Sequence, residues 1–243
     1  MRYQIDYIDV KNSLKNYIWI IQDTHTSEIV VIDPTEAKPV QDYCQLHQLK
    51  LAQIWLTHWH KDHIGGVPDL IEGTQIPVFG PREELSKIHL ISNALQHDDQ
   101  FKFHDLHVEV VATPGHTLGH IVYFVEALRS VFCGDTLFAM GCGRVFEGTF
   151  EQMYHSLNRL AALPTDTQVY CTHEYTLSNA EFALTIEPDN LALQERYEQV
   201  KQLRAQNIIT LPSSIEIELA TNPFLRTESV EEFARIRTLK DNF

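Results

Sequence analysis

Four short apolar runs in this chain each stop at a residue that can ligate a metal. Ile54-Trp55-Leu56 runs into Thr57-His58-Trp59-His60-Lys61-Asp62-His63, and Val110-Val111-Ala112 into Thr113-Pro114-Gly115-His116. Val131-Phe132-Cys133 leads to Gly134-Asp135, and Val169-Tyr170-Cys171 to Thr172-His173. Runs of this length, rich in β-branched and aromatic residues and bounded by turn formers, read as buried strands.

Other segments fit the same plan. Tyr17-Ile18-Trp19-Ile20-Ile21 and Glu28-Ile29-Val30-Val31-Ile32 read as a paired couple of strands, the second ending at the turn signal Asp33-Pro34. Further strands are expected at 76–79, 107–112, Ile121–Val125 and Gln168–Cys171. Within 39–49, Val40, Tyr43, Cys44 and Leu46 have helical spacing. Thr149 with Gln152 has the form of a capping box, and Met153, Leu157, Leu160 and Ala161 follow at helical spacing. Mixed strands and helices favour a layered α/β fold. Beyond Tyr175 the patterning turns mainly helical over 179–206, and Ser229 with Glu232 makes a second capping box before a final helix. The expected division is a catalytic domain over 1–173 and a small helical domain over 174–243, without internal repeats.

Composition narrows the class. Over 243 residues, 44% hydrophobic and 21% charged usage is that of a globular chain. The first ten residues carry Arg2, Asp6 and Asp9 in place of the apolar stretch of a signal peptide, and no membrane span is visible. Cys44, Cys133, Cys142 and Cys171 lack C-x-x-C spacing and read as packed thiols in a reducing, cytoplasmic compartment. A net charge of -14 argues against nucleic acid as partner. An anionic small substrate would need a local basic pocket. The 13 histidines are the compositional oddity.

The histidine-rich run holds four candidate ligands in six positions, His58, His60, Asp62 and His63. In extended chain, residues two apart point the same way, so His58 and His60 can close on one ion, and the turn into the next helix re-aims Asp62 and His63. Gly65 and Gly66 are expected to supply backbone angles that other residues resist. With His116, Asp135 and His173 the set reaches seven. One ion cannot use seven ligands, whereas two ions sharing a bridging aspartate can, and such a pair holds a hydroxide for attack on an electrophile. Imidazole and carboxylate together suit zinc first, with iron and manganese as alternatives. His25, His47, His89, His97, His104, His107 and His155 belong to no pattern and read as ordinary surface or packed histidines. His120, four residues past His116, either orients a ligand or begins a strand.

The T-H-x-H-x-D-H run at Thr57 to His63, P-G-H-T at Pro114 to Thr117 and G-D-T-L-F at Gly134 to Phe138 resemble the metallo-β-lactamase-like hydrolases. A narrower set resembles the glyoxalase II (hydroxyacylglutathione hydrolase) family. It comprises Gly141-Cys142-Gly143-Arg144, Phe146-Glu147-Gly148-Thr149, His173-Glu174-Tyr175-Thr176, Asn222-Pro223-Phe224-Leu225-Arg226 and Arg237 through Lys240-Asp241 to Phe243. The resemblance implies an αββα sandwich followed by a helical domain. It gives His58, His60 and His116 to a first metal and Asp62, His63 and His173 to a second, with Asp135 bridging. Asp62 would also orient the hydroxide. Arg144, Phe146, Tyr175, Arg237 and Lys240 fall where the family binds the glutathione part. Phe146 departs from members with tyrosine there, and Thr172 stands where a smaller residue is usual.

The implied activity of a monomer is hydrolysis of S-D-lactoylglutathione, or a similar 2-hydroxyacyl thioester, to glutathione and the hydroxy acid, in methylglyoxal detoxification. Its leaving thiol, with an ordinary pKa of about 8.5, departs without a strong general acid. The rivals are a lactonase, β-lactamase or phosphodiesterase on the same fold, a single-iron persulfide dioxygenase, or a metal-dependent binding protein. The 237–243 signature opposes the enzymes. Seven ligands oppose the binding protein, because structural zinc sites are closed by four.

Overall fold

The computed structural model describes residues 2–243; Met1, the first residue of the N-terminal stretch discussed above, lies outside them. The chain packs as two compact units. One runs to Ala112 and takes in Gly119–Leu128; the other comprises Thr113–Leu118 and Arg129–Phe243.

The first unit contains β1 (Tyr3–Asp9), β2 (Tyr17–Asp23), β3 (Glu28–Ile32), α1 (Ala37–His47), β4 (Lys50–Trp55), α2 (Lys61–Ile64), α3 (Val67–Ile71), β5 (Val78–Pro81), β6 (Asn93–Leu95), β7 (Gln100–Phe103), β8 (Leu106–Ala112) and β9 (Ile121–Val125). Strands β1 to β6 form a sheet in chain order, antiparallel up to β3 and parallel from β3 onward. Strands β7, β8 and β9 pair antiparallel. The couple expected from 17–21 and 28–32 is the β2–β3 pair.

Side chains alternate across a strand, so the two faces of the first sheet meet different partners. Ile18, Ile20, Ile29, Val31, Ile54 and Leu56 pack with Val40 of α1 and with Val67 and Leu70 of α3. On the other face, Trp55 and Phe79 meet Phe101 of β7 and Tyr123 of β9, with ring centroids 4.6–5.3 Å apart. A sheet covered on both faces explains why β2 and β3 read as continuous apolar runs. By contrast, β1 was not legible, because its charged, half-exposed sequence lies on the sheet edge.

Gly65 and Gly66 correct an expectation. Both adopt right-handed helical angles that any residue accepts. Space is what demands glycine: a Cβ on Gly65 would lie 2.6 Å from the Thr35 carbonyl oxygen, and one on Gly66 2.5 Å from the Glu36 carbonyl carbon. The turn that carries the candidate ligands therefore sits directly against the backbone that follows β3.

The second unit contains β10 (Ser130–Gly134), β11 (Leu137–Phe138), β12 (Gly141–Cys142), α4 (Phe150–Ala161), β13 (Gln168–Cys171), α5 (Thr176–Ile186), α6 (Leu191–Ala205), β14 (Ser213–Ser214), α7 (Ile215–Thr221) and α8 (Val230–Asp241). Strand β13 runs parallel to β10 and antiparallel to β14, while β11 and β12 form a small hairpin. Helix α4 starts at the expected capping box, with both reciprocal bonds between Thr149 and Gln152 present. At α8 only half of the box forms: Ser229 caps the Glu232 N–H, but the Glu232 carboxylate accepts from Glu228 N. Helical patterning over 179–206 resolves into α5 and α6. Ala180 and Ala183 of α5, Leu193 and Val200 of α6 and Met140 share one buried cluster.

Candidate metal centre

In the first unit the turn that carries the candidate ligands leaves β4 at Thr57, and the strand couple behind it determines which ring nitrogens face outward. Asp33, at the end of β3, is 1% exposed. Its carboxylate accepts from Thr57 N at 2.8 Å and Thr57 Oγ1 at 2.7 Å. The Thr57 hydroxyl has one proton, and Asp33 takes it, so the 3.0 Å contact between Thr57 Oγ1 and His58 Nδ1 is donated by the imidazole. His58 is thereby the Nδ1–H tautomer, with the lone pair on Nε2. His63 is set the same way, because its Nδ1 lies 2.9 Å from Asp33 Oδ2. One carboxylate thus orients two candidate ligand rings, the usual arrangement behind metal-bound imidazoles.

The donor atoms have the spacing an ion needs. Two ligands on a tetrahedral centre with bonds near 2.1 Å stand about 3.4 Å apart. His58 Nε2 and His60 Nδ1 are 3.1 Å apart, and His63 Nε2 and Asp62 Oδ2 3.4 Å. Asn16 donates to Asp62 Oδ2 at 3.1 Å. His120 is buried and its ring stacks on His58 at 4.8 Å, so it packs against a candidate ligand as well as starting β9.

The second unit holds the other donors. His116 Nδ1 donates to the Arg144 carbonyl at 2.8 Å, which puts the His116 lone pair on Nε2. Asp135 then spans two imidazoles with two different oxygens: Oδ2 lies 3.5 Å from His116 Nε2 and Oδ1 3.3 Å from His173 Nε2. A carboxylate so placed can serve two ions at once. The chemistry and spacing of this donor set fit divalent metal ions. Burial raises the thiols of Cys133 and Cys142 above their ordinary pKa.

Around these donors, Phe146 is exposed and meets His116 edge-on at 5.3 Å, while Tyr175 stacks flat on His173 at 4.7 Å. Arg144 pairs with Asp241 at 3.0 Å. Arg237 and Lys240 both lie on α8, as their spacing suggests, but in unlike settings. The Arg237 side chain is only 6% exposed and donates to Cys142 O at 2.8 Å and Asp241 Oδ1 at 3.1 Å. Lys240 is half-buried, donates to Ser178 O at 3.1 Å, and has its pKa lowered to about 8, by burial first and then by the charge of Arg237.

The supports of these donors leave little trace in local sequence. Glu218 and Asn222 hold the β11–β12 hairpin that separates Asp135 from Arg144: Glu218 Oε2 accepts from Met140 N at 2.8 Å, and Asn222 Nδ2 donates to Phe138 O at 3.1 Å and Gly141 O at 2.9 Å. Asn222 was visible only as part of the Asn222 to Arg226 motif, and Glu218 carried no local signal.

Residues 14–173 match the profile of the metallo-beta-lactamase superfamily, and residues 174–243 match that of the hydroxyacylglutathione hydrolase C-terminus. The chain belongs to the hydroxyacylglutathione hydrolase family. A hydroxyacylglutathione hydrolase of Pseudomonas aeruginosa is 51% identical over 243 residues, covering 98% of this chain and 93% of that protein. One from Gloeobacter violaceus is 46% identical, covering 96% and 98%. The crystal structure of ETHE1 from Myxococcus xanthus superposes with a TM-score of 0.72 at 28% identity, covering 98% of this chain and 90% of that one. The fold is that of the metallo-β-lactamases, and the chain is a metal-dependent hydrolase. No helix among the described residues is long and apolar enough to cross a membrane.

Proposed function

We propose that this hydroxyacylglutathione hydrolase family member cleaves the thioester of S-D-lactoylglutathione and related 2-hydroxyacyl glutathiones, as a cytoplasmic monomer acting on a small molecule. The carrying observation is Asp135, whose two oxygens each face a different imidazole at ligand spacing. On this reading His58, His60 and His116 would hold one divalent ion and Asp62, His63 and His173 a second, with Asp135 available to both and zinc the preferred metal. When bound, the ions would supply a hydroxide nucleophile and a Lewis acid for the oxyanion.

The chain's own residues do the rest. Asp33, through Thr57 for His58, and the Arg144 carbonyl fix the ring orientations of His58, His63 and His116. Asp62 would also orient the nucleophile. Residues 174–243 are the substrate-binding part. Lys240 of this part, with Arg144 from outside it, offers local positive charge to an anionic tripeptide in a chain of net charge -14. Phe146 and Tyr175, packed on His116 and His173, supply apolar surface beside the reacting group. Arg237 acts from within, fixing Cys142 and sharing Asp241 with Arg144.

The test is metal content and thioester hydrolysis measured on one purified sample, with a lactone, a β-lactam and a phosphodiester as competing substrate classes. Two ions per chain and preference for the glutathione thioester are expected. One ion per chain, unchanged by added metal, would overturn the paired site; preference for another class would overturn the substrate.

A further inference from the structure

The connection between β1 and β2 folds back through two non-glycine residues in the left-handed region, Lys11 and Lys15, both at φ 56°. That conformation is unfavourable for side-chain-bearing residues, so the loop geometry must be held by its contacts. The loop buries one side chain completely, Asn16. Asn16 Nδ2 donates to Asp62 Oδ2 at 3.1 Å and to the Asp62 main-chain carbonyl at 3.2 Å.

The direction of this amide follows from one backbone N–H. Asn16 N donates to Asn12 Oδ1 at 3.1 Å, and a backbone N–H can only donate, so the Asn12 atom facing it is the oxygen. Asn12 Nδ2 is left to donate to Asn16 Oδ1 at 2.9 Å. Asn16 Oδ1 therefore accepts, and its NH2 group turns to Asp62. Both Asn16 protons are committed, one to the carboxylate and one to the carbonyl of the same residue.

We propose that Asn16 is a positioning residue for Asp62, holding its carboxylate in the one rotamer that serves the second metal ion; this rests on the reading of Asp62 and His63 as ligands. Asp62 sits in the first turn of α2 with its side chain 24% exposed, so it has room to swing toward water. With Asn16 bonded to it, Oδ2 stays 3.4 Å from His63 Nε2, at ligand spacing. A ligand ordered in advance loses less freedom when the ion binds. The acceptor is charged, which strengthens the bond that orders it.

The experiment titrates full-length protein with zinc against a chromophoric chelator, resolving the first and second ion per chain, and follows thermal unfolding in parallel. Asn16→Ala should weaken the second ion by about 10- to 100-fold, the usual penalty for losing a partner behind a ligand, and leave the first unchanged. Asn12→Asp keeps the acceptor for Asn16 N but no longer donates to Asn16 Oδ1. The Asn16 amide should then reverse, and the second ion should weaken with Asn16 still present. Asp62→Ala should lose the second ion, and adding Asn16→Ala to it should cost nothing more. If Asp62→Ala keeps both ions at native affinity, the ligand reading falls and the inference with it. If Asp62→Ala loses an ion while Asn16→Ala binds as wild type, only the positioning role is overturned. Equal loosening of both ions together with a lowered unfolding temperature in Asn16→Ala would make Asn16 merely structural and overturn it as well.

Discussion

Gly143→Ala tests how closely the second unit is packed around its donors. A Cβ at Gly143 would lie 1.9 Å from the Asp135 carbonyl oxygen and 3.2 Å from His116 Nδ1. Ordinary carbon–oxygen contacts begin near 3.3 Å, so the hairpin and Asp135 must separate by about 1.4 Å. The obstacle is backbone, and no rotamer change absorbs it. Forced repacking of this kind costs about 1–3 kcal/mol. At about 2–4 °C per kcal/mol for a chain of this size, the unfolding temperature should fall by roughly 2–12 °C. The same displacement acts on a candidate bridging ligand, and a shift of about 1 Å in a catalytic group can cost about 100-fold in rate. Gly73→Ala is the matched control: Gly73 has φ 67° and nothing within 4 Å of an added Cβ, so only backbone strain of about 1–2 kcal/mol applies. The assay is scanning calorimetry together with thioester hydrolysis at saturating metal. Gly143→Ala should lose both stability and kcat, and Gly73→Ala stability alone. Native kcat/KM in Gly143→Ala, or an equal loss of rate in Gly73→Ala, would refute the close-approach argument.

Asp135→Ala should abolish thioester hydrolysis while leaving a folded chain, read by circular dichroism beside the rate; near-native activity would show the site misplaced. Lys240 should impose a pH dependence on substrate binding. Its pKa is lowered to about 8, so it is cationic below that value and neutral above it. KM for an anionic thioester should therefore rise as pH passes about 8, and Lys240→Ala should raise KM at lower pH and flatten the rise, with kcat little changed. Arg237→Ala should act differently, lowering the unfolding temperature, because it leaves the Cys142 carbonyl without its buried donor. Stripping metal with a chelator should remove activity, and zinc should restore it without refolding, since the rings of His58, His63 and His116 are oriented by Asp33, Thr57 and the Arg144 carbonyl.

The amino-acid sequence by itself determined the family and the strands that carry the candidate ligands. Ligand-type residues at strand ends are a local signal: each apolar run and the donor after it lie within a few residues. The Thr149–Gln152 box was legible for the same reason, as its bonds join residues three apart. What holds the donors in place was decided only by the tertiary structure. Asp33 reads locally as a turn residue before Pro34, yet it orients Thr57 and His63, 24 and 30 residues away. Asn16 reaches Asp62 across 46 residues, and Glu218 reaches Met140 across 78. The glycines at 65 and 66 were recognised but for the wrong cause, because a close backbone approach leaves no trace in local pattern. Candidate ligands are legible in residue type and spacing at the ends of strands. Ligand orientation depends on hydrogen bonds between segments that only the pairing and packing of distant elements bring together.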